Sequence, residues 1–157
     1  MYKKILVGYD GSDNSNSALD AAIEIAKLSK AKIIAFHSIP PNLKLIDFTR
    51  LFPFIRNASD YVSEELNQQY NEQLKQLGKE TLELAKQRLM KANIAFELEL
   101  IDFGRPIEAA KMLIEEKGID LVVIGARGAH KQFSSQLLGS VASRMVNRVN
   151  VSVLVVR

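Results

Sequence analysis

The 157-residue sequence contains no cysteine, which excludes a disulfide framework, a thiol nucleophile and a thiolate metal site. Histidine is almost as scarce: His37 and His130 are too few for a histidine-rich metal centre. No stretch approaches the roughly 20 apolar residues of a membrane span. The opening residues Met-Tyr-Lys-Lys-Ile-Leu-Val-Gly lack the length and cleavage site of a signal peptide, so a cytoplasmic protein is expected. Acid is missing from one end of the chain. Beyond Asp120 there is none, while Arg127, Lys131, Arg144, Arg148 and Arg157 give that segment five positive charges. Against a total of +3, this leaves −2 for residues 1–120. A basic, acid-free end suits a bound polyanion, nucleotide or nucleic acid, although a short segment also acquires such a bias by chance.

Several catalytic signatures are absent as well. There is no Gly-x-x-x-x-Gly-Lys-[Ser/Thr] loop, since Gly78-Lys79 is followed by Glu80 within a helical pattern. No Gly-x-Gly-x-x-Gly follows the first apolar run, which disfavours a dinucleotide site. There is no Gly-x-Ser-x-Gly elbow, no metal-ligand cluster and no identifiable general base. Efficient catalysis is therefore not expected, and any phosphoryl chemistry would rest on positioning and electrostatics alone.

What is present is ordinary globular composition, 47% apolar and 25% charged. The length fits one domain over residues 1–157. Short β-branched runs at 3–8, 32–39, 120–125 and 151–156, and an alternating run at 94–101, predict five strands. Helical spacing predicts intervening helices to Lys30, from Asp60 to about Asn93, from Pro106 to Lys117 and from about Leu138 to Arg148. Gly78 is a candidate break or bend in the second of these. Residues 40–60 form an apolar insertion around Pro53, expected to cover the domain surface, a ligand or a partner. Strands alternating with helices, most of them apolar throughout, indicate an α/β fold with a parallel sheet covered on both faces.

In such sheets ligands bind beyond the carboxyl ends of strands, where the strand order reverses. Two loops qualify. The first, after the first strand, carries Asp10-Gly-Ser-Asp-Asn-Ser, rich in turn and capping residues. The second runs from Gly125 through Arg127 and Gly128 to Gly139-Ser140. Its glycines permit close backbone approach, and its N–H groups, with the start of the last helix, can hold an anion. Arg127, His130 and Lys131 are the available cations. A flexible loop with a capping serine is the plainer reading. His37, inside the second strand, reads as a hydrogen-bonded packing residue, and His130 as solvated.

Three segments together resemble the universal stress protein family across essentially the whole chain. They are Lys-Lys-Ile-Leu-Val-Gly-Tyr-Asp10-Gly-Ser, Gly125-x-x-Gly128…Gly139-Ser140 and Asn150-Val-Ser-Val-Leu-Val-Val. The resemblance implies a doubly wound five-stranded parallel sheet of order 3-2-1-4-5, of the adenine nucleotide alpha-hydrolase-like type. It also implies ATP as ligand, with Mg²⁺ or Mn²⁺ held through the phosphates, since one branch of the family binds ATP through Gly-x2-Gly-x9-Gly-[Ser/Thr]. Here ten residues, not nine, separate Gly128 from Gly139. The extra residue falls in a stretch, 129–135, where a loop absorbs it. Carried over position by position, the resemblance puts Asp10 near the ribose, with Gly8 and Tyr9 on the same wall. Ser38 meets the adenine edge, and Ile124 and Gly125 line the base or sugar. Arg127, Gly128, Gly139, Ser140, Val141 and Ala142 fall on the phosphate side.

The expected protein is thus a nucleotide-binding stress-response regulator. A slow ATPase and a non-nucleotide interaction module are the alternatives, and nucleic acid is poorly supported. The uncharged run Val151–Val156 would be an unprotected edge if it lies outermost, which suggests a homodimer paired through it.

Overall fold

The computed structural model describes residues 1–39, 59–102, 104–127 and 138–157, and for 59–67 the helical backbone alone. The apolar insertion therefore lies outside the described residues, apart from residues 59 and 60, as do Gly128, His130 and Lys131. Among the described residues the elements run β1 (Lys4–Gly8), α1 (Asp13–Ser29), β2 (Lys32–Ser38), α2 (Ser59–Lys91) and β3 (Phe96–Ile101). They continue with α3 (Pro106–Lys117), β4 (Leu121–Gly125), α4 (Ser140–Arg148) and β5 (Ser152–Val156).

All four strand pairings are parallel, and the order is β3-β2-β1-β4-β5. The chain steps outward from β1 to β3, then returns past β1 to lay down β4 and β5. Side chains alternate across each strand, so the sheet has two apolar faces. Ile5, Val7, Ile33, Ala35, Leu121 and Val123 pack with Ala18, Leu19 and Ala22 of α1 and Ala85 and Leu89 of α2. Leu6, Ile34, Phe36, Val122 and Ile124 pack with Ala110 and Leu113 of α3 and Met145 of α4. Burial on both faces is why β1, β2 and β4 carry nearly unbroken apolar runs.

The helix ends follow local chemistry. Ser12 caps α1, its Oγ accepting from the Ser15 N–H at 3.2 Å. Pro106 opens α3, where a missing N–H costs no helical bond, and the Glu108 carboxylate accepts from the Arg105 N–H at 2.8 Å. Gly118 closes α3 in the left-handed region, at φ 62°.

Two expectations need correction. The last helix begins at Ser140 rather than Leu138. Helix α2 runs unbroken through Gly78. A methyl group there would lie 2.7 Å from Leu100 Cδ1 and 3.2 Å from His37 Cδ2. The glycine serves close packing of α2 on β2 and β3 rather than a break.

Candidate functional site

The reversal in strand order falls between β1 and β4. From β1 the chain leaves to α1 on one face, and from β4 it leads to α4 on the other. The carboxyl ends of these neighbouring strands thus open a crevice between diverging connections.

Gly8, Tyr9 and Asp10 stand at the end of β1, Ser38 ends β2, and Ile124 and Gly125 end β4. Arg127 is half-buried two residues past β4. Gly139 caps α4, and Ser140, Val141 and Ala142 form its first turn. A methyl on Gly8 would lie 3.5 Å from Ile124 Cδ1, so these two positions share one wall. The Gly139 N–H donates to the Ala126 carbonyl at 2.8 Å, which docks the start of α4 on the end of β4. That bond employs the Gly139 N–H. Helix geometry leaves the N–H groups of Ser140, Val141 and Ala142 without an intrahelical acceptor. Together with the helix dipole they favour an anion, each charge–dipole contact adding about 0.3–1 kcal/mol at a surface. Ser140 is exposed, whereas Ala142 buries its methyl in the core, so only its backbone is available.

The turn after β1 is knit by its own side chains. Asp10 Oδ1 accepts from the Ser12 N–H at 3.0 Å and from the Ser12 hydroxyl at 2.6 Å. Gly11 takes φ 76°, in the left-handed region. The Tyr9 ring is buried, and its hydroxyl donates to Asn16 Oδ1 at 2.7 Å. Burial pushes the Tyr9 phenol up from its ordinary value; the Arg88 cation opposes this, and Asp10 and Asp20 add to it. Tyr9 is therefore a neutral donor with its ring packed in the core. Asn16 Nδ2 in turn donates to the Gly11 carbonyl at 3.4 Å. Sequence reasoning found the turn through its capping residues but missed Asn16 as its brace. It also missed Asn14, whose backbone would lie 2.7 Å from a methyl on Gly125. His37 is the hydrogen-bonded packing residue expected, its Nδ1 standing 2.8 Å from the Tyr9 carbonyl oxygen.

Among the described residues, no group of three or more His, Asp or Glu could hold a metal ion. None of the described helices is long and apolar enough to cross a membrane.

A five-stranded parallel sheet with helices on both faces and its strand order reversing between β1 and β4 defines a doubly wound α/β protein. The model of the universal stress protein family matches residues 1–157, and the chain belongs to that family. It is 30% identical over 157 residues to the universal stress protein YxiE of Bacillus subtilis, covering the whole of both chains. The structure of MJ0577, a universal stress protein of Methanocaldococcus jannaschii, superposes with a TM-score of 0.77 at 25% identity, covering 99% of this chain and 96% of that one. A universal stress protein solved in complex with cAMP superposes with a TM-score of 0.67 at 26% identity, covering 99% and 97%.

Proposed function

We propose that this protein binds an adenine nucleotide, ATP in the first instance, and acts as a regulatory protein of the stress response rather than as an efficient enzyme. The observation that carries the reading is the convergence at the central strand reversal. The Asp10 turn follows β1, and the start of α4, whose first N–H groups have no intrahelical acceptor, is docked on the end of the neighbouring β4. The cAMP complex of a relative at 26% identity supports an adenine ligand in this fold. The base and ribose would lie along Gly8, Tyr9, Asp10, Ser38, Ile124 and Gly125. The phosphates would lie along Arg127, Gly128, Gly139, Ser140, Val141 and Ala142, with a divalent cation held by phosphate oxygens and water. The protein would work as a cytoplasmic homodimer paired through the β5 edge.

Substituting Ser140→Asp or Gly128→Asp puts negative charge where the phosphates would sit. Both variants are expected to keep the unaltered protein's thermal midpoint and to lose ATP binding in calorimetry. Unchanged affinity in both would sink the site assignment.

A further inference from the structure

The nucleotide reading gives His37 no role, yet its ring bonds the residue that leads into the Asp10 turn. It lies on β2 beside the end of β1, and its ring faces α2 at Gly78. Its Nδ1 is 2.8 Å from the Tyr9 carbonyl oxygen. A carbonyl oxygen only accepts, so Nδ1 carries the proton and donates it. The Tyr9 N–H, on the other side of the same residue, donates to the Phe36 carbonyl at 2.9 Å. Strand β2 therefore grips Tyr9 twice, through the backbone of Phe36 and through the side chain of His37. The β1–β2 register ends at Gly8 and Phe36, so the Tyr9 carbonyl lies one residue past the ladder. Its peptide leads directly into Asp10, whose carboxylate organises the turn through Ser12.

We infer that His37 is a positioning residue for the nucleoside end of the crevice. Its Nδ1–H fixes the Tyr9–Asp10 peptide and thereby the direction of the Asp10 turn. The inference rests on the nucleotide reading above. Gly78 supports it from behind: with a bare backbone there, α2 closes on the ring and on Leu100 and limits where the imidazole can turn. The Tyr9 hydroxyl is tethered separately to Asn16. Losing the imidazole donor would therefore release the peptide without releasing the phenol ring.

A purely packing role for His37 makes the opposite prediction for two substitutions. His37→Leu fills similar space without a donor. His37→Asn loses volume but keeps an N–H near the position of Nδ1. If His37 only packs, the leucine variant is the better protein in every respect. If His37 positions the turn, the asparagine variant binds better even where it melts lower.

The test uses the full chain and ATP as the calorimetric probe, with thermal midpoints and amide hydrogen exchange at Asp10, Gly11 and Ser12 measured alongside. His37→Leu is expected to bind about fivefold more weakly, the size of one net hydrogen bond. Its three turn amides should exchange faster. His37→Asn is expected to stay within about twofold of the unaltered protein, with the turn protected. A leucine variant that binds as well as the asparagine variant, or better, overturns the inference. If the unaltered protein binds no adenine nucleotide, the cleft reading fails by itself. His37 is then judged by exchange alone, and undiminished protection of the turn in His37→Leu overturns its positioning role.

Discussion

Glu97 sits where two lysines converge. Its carboxylate takes Lys32 Nζ at 2.5 Å and Lys117 Nζ at 3.0 Å, and Lys117 also reaches Glu99 at 2.7 Å. The Lys32 hydrogen bond, then that of Lys117, holds the Glu97 carboxyl at about 2, well below its ordinary 4.5. Lys117 is pushed up by Glu99 and Glu97 in the same way. A depressed carboxylate stabilises the fold above its ordinary value and loses that contribution as pH falls toward 2. The raised lysine contributes below its ordinary value and loses its share only as pH rises beyond it. The groups are half-exposed, so screening keeps the effect small and salt-sensitive. Titration of the Glu97 carboxyl by NMR should give a midpoint near 2, rising in Lys117→Met; a midpoint near 4.5 would contradict the network. At this scale the sequence was informative where chemistry is local. Asp10, Gly11 and Ser12 declare a turn by their types. The Gly125–Asn14 approach was not legible, because the spacing of two distant backbones is decided by packing rather than by either residue.

Elements were legible wherever a single period ran between clear punctuation. Helix α3 was readable from Pro106 to Gly118 because proline and glycine each do one thing at a helix end. Gly78 misled because a helical glycine marks either a break or a close contact, and only the contact with Leu100 and His37 decides. The start of α4 was read two residues early because Leu138 continues the apolar pattern, while the Gly139 bond to Ala126 sets the boundary. Gly125 offers the sharpest test of how elements meet. A methyl there would fall 2.7 Å from both the carbonyl carbon and oxygen of Asn14, which are backbone and cannot rotate aside. Gly125→Ala must move the first turn of α1, at a cost of roughly 1–3 kcal/mol typical of overpacking. A lower thermal midpoint and weakened ATP binding are expected. A variant as stable as the unaltered protein would show that α1 does not approach β4 so closely.

The two edges of the sheet differ in a way that bears on the whole molecule. At one edge, β3 carries Glu97 and Glu99, charges that discourage pairing with another sheet. At the other, β5 offers Ser-Val-Leu-Val-Val with no charge, and Leu154 is exposed. The Val156 carbonyl accepts from Ala126, so it points inward, and by alternation the backbone groups of Val155 point outward. Val155→Pro removes an outward donor, a substitution an edge strand tolerates. Sedimentation should give twice the 17.5 kDa chain mass for the unaltered protein and a single chain mass for the variant. An unaltered protein that sediments as single chains would contradict pairing. The strand order itself was legible only through the family resemblance, since alternation of elements permits several orders and periodicity chooses none of them.

The central claim is that the crevice between β1 and β4 holds an adenine nucleotide. Its most direct test is to purify the protein without added nucleotide, denature it, and identify any released small molecule by chromatography and mass. ATP is then titrated into the stripped protein by calorimetry. Stoichiometric adenine nucleotide in the first step, or micromolar ATP binding in the second, is expected. Protein that arrives empty and ignores ATP would contradict the claim, and would mean that the extra residue between Gly128 and Gly139 misdirects the phosphate loop.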